Sequence, residues 1–452
     1  MIHDLSVLSR RTLLRGAGAL GLGLTLGVPL GADAAPHRHR KPGSLPNPRQ
    51  PEGTDQLPQI EHVIVLMMEN HSFDNYLGML GRGDGFRLRN GRPTAANRDA
   101  DGNLIRAFHM PSACQQDGHP GQNWNASHIQ YDHGRNDGFV RASGPVSMGY
   151  WTGDDIPFYY GLANTFPLCD RWFGSCLGQT YPNRRFLLAG TAAGIVSTTL
   201  AALTAPPPPN GNIMERLDAH GISWRDYYTD LPSVAVLLTY AQGHQGNLTN
   251  SIDQFVADAQ AGTLPFLSFV DPNFSTESEE NPQDIRRGEA FAARVINAVM
   301  SGPGWAKTVL VWCYDEHGGY YDHVPPPRAV KPDDIPPDIM VPPDMPGGYD
   351  RYSFRVPAVV VSPYARRNHV SHRVRDHTAI LKLIETKWNL PALTFRDANA
   401  DALLDCLDFR HPPAFLEPPV LPAPALDAPS PPACTPGDPG GPIPPPDAIV
   451  PG

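Results

Sequence analysis

Two strings in this 452-residue chain carry side chains that could do chemistry together. One is Glu69-Asn70, set directly after the apolar run 63–68; the other is Asp315-Glu316-His317, set directly after the apolar run 308–314. Carboxylates gathered in a dry place repel one another, and burying them is costly unless positive charge is set between them. A divalent cation is the usual solution. Glu69, Asn70, Asp315 and Glu316 offer only oxygen, which favours calcium, then magnesium or manganese, while nearby histidines leave zinc or iron open. Taken singly, Glu69 and Asn70 serve equally well as the cap of a helix starting near Phe73, with Asn70 or Ser72 at the cap position. Two runs of one design, both ending in acid, make a shared site the better reading.

The elements that must position these groups follow from the apolar pattern. The runs 63–68 and 308–314 have the length and branched content of strands covered on both faces of a parallel sheet, and 264–270 and 356–362 read the same way. In open sheets of this kind, ligands bind beyond the carboxyl ends of the strands. The fold expected is one α/β domain, a mainly parallel central sheet with helices on both faces. A strand is expected over 222–228, and helices over 184–193 and 213–220. A further helix is expected to open at Asn281-Pro282-Gln283-Asp284, with Ile285, Ala292, Val295, Ile296 and Val299 as its apolar stripe. Asp376 caps another, whose Ile380, Leu381, Ile384 and Trp388 face the core. The segments 81–165 and 325–350 read as long surface loops, the second as a lid near the site.

Four blocks carry a resemblance: VIVLMMENHSFDNYLG, CDRWFGSCLGQTYPNRRFLLAGT, WAKTVLVWCYDEHGGYYDHVPPP and SPYARRNHVSHRVRDHTAILKLIE. Spread over about residues 60 to 390, they resemble the bacterial phosphoesterase family of non-haemolytic phospholipases C and an acid phosphatase, within the alkaline-phosphatase-like superfamily. The resemblance implies an alkaline-phosphatase-like core and one divalent metal ion held by Glu69, Asn70, Asp315 and Glu316. It makes Thr180 the nucleophile, also touching the metal, although a threonine before a helix reads by itself as an N-cap. His128 falls on a histidine of the family pattern, and Asp376-His377 matches its DH pair. Gln122 and Asn281 stand where the family shows histidine. His317, His323 or His377 would protonate the leaving oxygen or orient the ligands, and Asn70 with His128 would hold nonbridging oxygens. The activity implied is metal-dependent phosphoric ester hydrolysis through a phosphothreonine. Its first form is phospholipase C cleavage of phospholipid at a membrane surface into diacylglycerol and a phosphorylated head group. An acid-phosphatase-like phosphomonoesterase and an inactive exported binding protein are the alternatives. The rings of Tyr150-Trp151, Phe158-Tyr159-Tyr160 and Tyr320-Tyr321 suit a choline-like cation, though such stripes more often pack.

Composition bounds the rest. With 41% hydrophobic residues and a formal charge of -10, the chain is an ordinary globular protein and a poor partner for nucleic acid, whose affinity comes from basic contacts with phosphate. Residues 1–34 hold Arg10-Arg11, a short glycine-rich apolar run and Ala32-Asp33-Ala34, the pattern of a Tat-type export signal that engages the Tat machinery and is cleaved after Ala34. That implies a secreted, periplasmic or cell-wall associated enzyme with no stable membrane anchor after cleavage. Residues 35–58 read as a flexible leader, 59–410 as the catalytic domain and 411–452 as a Pro-rich, disordered tail. Six cysteines allow 15 pairings, among which the sequence does not choose; Cys313 reads as a buried thiol, and Cys169–Cys176 and Cys406–Cys434 are two plausible bridges.

Overall fold

The computed structural model describes residues 39–114, 120–426 and 441–452. The chain divides at Arg38, and the fold below is that of the unit from His39 onward; the segment 1–34, expected to be an export signal, lies outside the described residues.

The central sheet has eight strands: β1 (His62–Met68), β2 (Leu168–Cys169), β3 (Trp224–Tyr227), β4 (Leu248–Thr249), β5 (Leu267–Val270), β6 (Thr308–Tyr314), β7 (Ala358–Val361) and β8 (Val370–Ser371). They lie in the order β4-β3-β5-β1-β6-β7-β2-β8. Every pairing is parallel except the two made by β7. Val63 to Met68 and all of β6 are buried, as a continuous apolar run must be when both sheet faces are covered. The expected strands 264–270 and 356–362 are shorter than their apolar runs. Pro265 and Pro357 have no N–H for the ladder, so β5 and β7 begin after them.

Six helices matter for the site: α1 (Phe73–Leu77), α2 (Trp124–Tyr131), α3 (Pro157–Thr165), α4 (Thr180–Ala189), α5 (Ile285–Ser301) and α6 (Thr378–Trp388). Ser72 caps α1, accepting from the Asn75 N–H at 3.1 Å. The helix expected over 184–193 instead starts at Thr180 and stops before Gly190 at φ 72. Pro182 sits in its first turn, where a missing N–H costs nothing. The helix expected to open at Asn281-Pro282 begins at Ile285, because Asp284 supplies the capping carboxylate to the Arg286 N–H.

Both chain ends depart from expectation. The segment expected as a flexible leader packs on the end of α6: Asn389 Nδ2 donates to the carbonyls of Asn47, Gln50 and Pro51, and Lys387 pairs with Asp55 at 2.6 Å. The segment expected as a disordered tail is docked over its described parts. Phe415 is buried and its carbonyl accepts from Trp305 Nε1 at 2.8 Å, Ala425 N–H donates to Glu289, and Ile449–Val450 pairs with Leu104–Arg106. Each extended segment inserts single side chains into receptors elsewhere, so its own composition does not reveal the docking. Neither of the two plausible bridges forms, since each would use a cysteine that is free. Cys169, Cys176, Cys313 and Cys406 are free, with Cys169 Sγ 3.8 Å from Cys406 Sγ, and Cys114 is the bonded one. Fold topology, not sequence spacing, brings β2 beside residue 406.

Candidate active site

The parallel register of β1 and β6 sets Met68 opposite Tyr314, so Glu69-Asn70 and Asp315-Glu316 leave adjacent strands at the same edge. Asp315 N–H donates to Met68 O at 3.1 Å and carries that register one residue further. All four side chains are buried. A guanidinium that the sequence did not single out stands among them. Arg184, from α4, donates through Nε to Asp315 Oδ2 at 3.2 Å, through Nη1 to Asp271 Oδ1 at 3.4 Å and through Nη2 to Met67 O at 3.2 Å; its Nη2 lies 3.7 Å from Glu69 Oε1. Asp271 follows β5 directly, so three neighbouring strands each deliver an acid to one arginine.

One arginine does not balance this group. Burial, then repulsion from Asp315, holds Glu69 and Glu316 well above the ordinary carboxylate range. Burial lifts Asp315 to about 6 although Arg184 pulls it down. Glu280, just before α5, adds its charge to all three. More positive charge is therefore wanted here, and two buried oxygens wait for it: Asn70 Oδ1 and Glu316 Oε1 have no hydrogen-bond partner. Hard oxygen donors without partners, in a negatively charged pocket, fit a divalent cation held by Glu69, Asn70, Asp315 and Glu316.

Thr180 is the first residue of α4, and Gln179 is the N-cap. It is therefore not itself the cap. Asn183 builds the turn before it: its Oδ1 accepts from the N–H groups of Ser175 and Cys176, and its Nδ2 donates to the carbonyls of Gly178 and Gln179. One helix thus carries both Thr180 at its start and Arg184 one turn later, which ties the hydroxyl to the carboxylate pocket.

The histidines divide. His317 Nε2 faces Gln130 Oε1 at 2.7 Å, and Gln130 Nε2 donates to Gly121 O and Ser143 Oγ, which fixes the amide's orientation. The imidazole is neutral, since burial lowers its pKa to about 3, so its Nδ1 is a lone pair 3.3 Å from Glu316 Oε2. Through Nδ1 it can accept or ligate, while its one proton, on Nε2, is held by Gln130. His377 accepts from Trp172 Nε1 and donates from Nε2 to the Asp315 carbonyl at 2.6 Å; it positions Asp315 and is not free to protonate a leaving group. His128 packs on Trp124 and Gly347 in a cavity of about 300 Å³ that also holds Leu177 and Arg351. Its Nδ1 lies 2.7 Å from Trp124 O, which suits a proton on that nitrogen, and burial lowers its pKa. His323 belongs elsewhere. With Asp74 and Asp322 it surrounds Arg355, whose Nε and Nη2 donate to Asp322 and Asp74 at 2.9–3.0 Å, and that guanidinium already supplies the charge the acids need.

The aromatic segments also correct an expectation. Trp151, Phe158, Tyr159 and Tyr320 are buried, and Trp151 and Tyr320 pack around His71 at ring distances of 5.7 and 5.0 Å. They form core, not an open cage for a cation. At the two positions that resemblance marks for histidine, Gln122 donates to Glu280 Oε1 at 3.3 Å and Asn281 accepts from the Tyr320 hydroxyl at 3.0 Å.

Residues 60–391 match the sequence model described as the Phosphoesterase family. Phospholipase C A of Mycobacterium tuberculosis is 30% identical over 471 aligned residues, covering 91% of this chain and 87% of that protein. Non-specific phospholipase C1 of Arabidopsis thaliana is 30% identical over 378, covering 75% and 69%. Among solved structures, a protein in the alkaline phosphatase superfamily from Vibrio parahaemolyticus aligns with 70% of this chain and 76% of its own at 10% identity and a TM-score of 0.37.

Proposed function

This chain belongs to the Phosphoesterase family, and on that premise we propose that it hydrolyses phospholipids in the phospholipase C manner, with Thr180 as nucleophile. The observation that carries the reading is the single helix α4, which sets the Thr180 hydroxyl at its start and Arg184 in the carboxylate pocket of Glu69, Asp271 and Asp315.

Thr180 Oγ1 attacks phosphorus in line, the new Oγ1–P bond forms, and the P–O bond to the diacylglycerol oxygen breaks. The alcohol leaves with a proton, and water then cleaves the phosphothreonine to release the phosphorylated head group. A divalent cation held by Glu69, Asn70, Thr180, Asp315 and Glu316, calcium before magnesium or manganese, would when bound lower the hydroxyl pKa and neutralise phosphoryl charge. The chain's own residues do the rest. His377 holds the Asp315 backbone in place, and Arg184 pulls the carboxyls of Asp315 and Asp271 back toward the ionised form against the effect of burial.

Thr180→Ala is expected to lower kcat by at least about 10³-fold with an unchanged circular dichroism spectrum and thermal midpoint; retention of a tenth of the activity refutes the nucleophile. Phosphatidylcholine, p-nitrophenyl phosphorylcholine and p-nitrophenyl phosphate should be turned over side by side. A preference of about tenfold or more in kcat/KM for the monoester, about 1.4 kcal/mol, makes the enzyme a phosphomonoesterase instead.

A further inference from the structure

Between Arg185 and Glu215 the chain carries no charged side chain. This stretch turns at Gly190 and returns to the start of α4, where Thr198 N–H donates to Gln179 Oε1 at 3.0 Å and Thr198 Oγ1 accepts from the Tyr181 N–H at 3.2 Å. Thr180 lies between those two contacts. Leu200, two residues on, opens the short helix Leu200–Leu203 and is 82% exposed. A second apolar tip, Met340-Val341-Pro342-Pro343, lies on the segment that follows Asp338, with Met340 69% and Val341 54% exposed. The two segments are joined: Asp338 N–H donates to Gly194 O at 2.8 Å and the Tyr349 hydroxyl to Ile195 O at 2.7 Å. The tip is also closed on itself, since Asp344 N–H donates to Met340 O and its carboxylate accepts from Met340 N–H. These side chains are therefore held outward by fixed backbone.

A lone exposed leucine needs no explanation. Large apolar side chains on two segments joined to each other, one of them bonded on both sides of the nucleophile, are different, because clustered exposed apolar side chains mark surfaces that meet another apolar phase. The charges alongside are mostly acidic, Asp333, Asp334, Asp338 and Asp344 against Lys331, which disfavours an anionic layer and leaves one whose head groups carry both signs.

We propose that this rim is the surface by which the protein seats on a zwitterionic phospholipid layer, with Leu200, Met340 and Val341 entering it and presenting Thr180 to the head groups. The proposal rests on the phospholipid reading above. It gives an acidic protein a way onto a membrane that does not depend on basic residues: insertion of apolar side chains takes the place of electrostatic attraction.

Vesicle binding tests it without turnover. Full-length Thr180→Ala protein is sedimented with phosphatidylcholine or phosphatidylglycerol vesicles, with and without Leu200→Asp, Met340→Asp and Val341→Asp together. The expected result is binding to phosphatidylcholine, weaker binding to phosphatidylglycerol, and at least tenfold weaker partition of the triple variant. The same triple change with Thr180 intact is expected to keep turnover of soluble p-nitrophenyl phosphorylcholine within twofold. Partition of the triple variant within twofold of its parent overturns the proposal, as does salt-sensitive preference for phosphatidylglycerol, or loss of soluble turnover in parallel with binding. Failure of the phospholipase reading looks different: vesicles are bound by the unmodified protein but their lipid is not consumed.

Discussion

The carboxyl of Glu279 is buried among the hydroxyls of Tyr76, Tyr159 and Tyr314, all three donating to it. Burial pushes its pKa up to about 8, although the phenol donors pull the other way. An unfolded glutamate titrates near ~4.3, so the folded protein holds the extra proton between those limits. The associated stability is fully present below the unfolded value and is lost as pH rises through about 8. Glu289, raised by burial to about 7, acts in the same direction. The unfolding free energy from urea titrations should therefore fall between pH 5 and 8.5 by an amount on the order of a few kcal/mol, and Glu279→Gln should flatten that slope; an identical slope in the variant sinks the assignment. Residues of this kind mark what the sequence hides. Glu69, Asn70, Asp315 and Glu316 were legible because each pair stands directly after an apolar run. Arg184 was not, since it joins acids from three strands across more than a hundred residues of chain. Its signal was weak but present: two adjacent arginines inside a helix that continues Phe186-Leu187-Leu188-Ala189 must find buried partners. The proton positions of His317 and His377 depend on Gln130 and Trp172, neighbours that only the fold supplies.

At the level of elements, the turn after β6 explains why two glycines follow Asp315-Glu316-His317. Gly318 has φ 64, its N–H donates to Glu316 Oε2 at 2.7 Å, and a Cβ there would stand 1.7 Å from the Asn70 carbonyl oxygen. The turn after β6 is thus pressed onto the turn after β1, and the two acid pairs are spaced by backbone contact. Gly318→Ala meets both a backbone conformation that costs about 1 kcal/mol and a contact no rotamer relieves. It should separate Asn70 from Glu316, lowering kcat/KM at least about 100-fold and the thermal midpoint by several degrees. Activity within threefold of the parent would show that the spacing is unimportant. Strand positions were legible from periodicity; the start of α4 and α5 was not, because Pro182 and Asp284 act through local hydrogen bonding that the apolar pattern does not report.

For the whole molecule, the described parts of 39–58 and 411–452 lock the domain from outside. Phe415 packs against Phe166 at 4.9 Å between ring centres, and the backbone at Ala425 reaches the Glu289 carboxylate, which also accepts from the first N–H groups of α3. Ending the chain after residue 410 should expose this apolar seam and leave Glu289 with one partner fewer. The expected loss is about 3–5 kcal/mol, the range for removing a buried phenylalanine, read as a lower urea midpoint with an unchanged far-ultraviolet spectrum. A truncated protein as stable as the parent would make the docking incidental. The same wiring shapes how the protein is made. β1, a long and almost wholly apolar strand, pairs only with β5 and β6, which leave the ribosome roughly 200–240 residues later. At about 5–20 residues per second that interval is about 10–50 s. Throughout it the nascent chain carries an unmated, aggregation-prone segment, so the yield of this protein in a cell depends on what shelters residues 62–68 while the ribosome is still working.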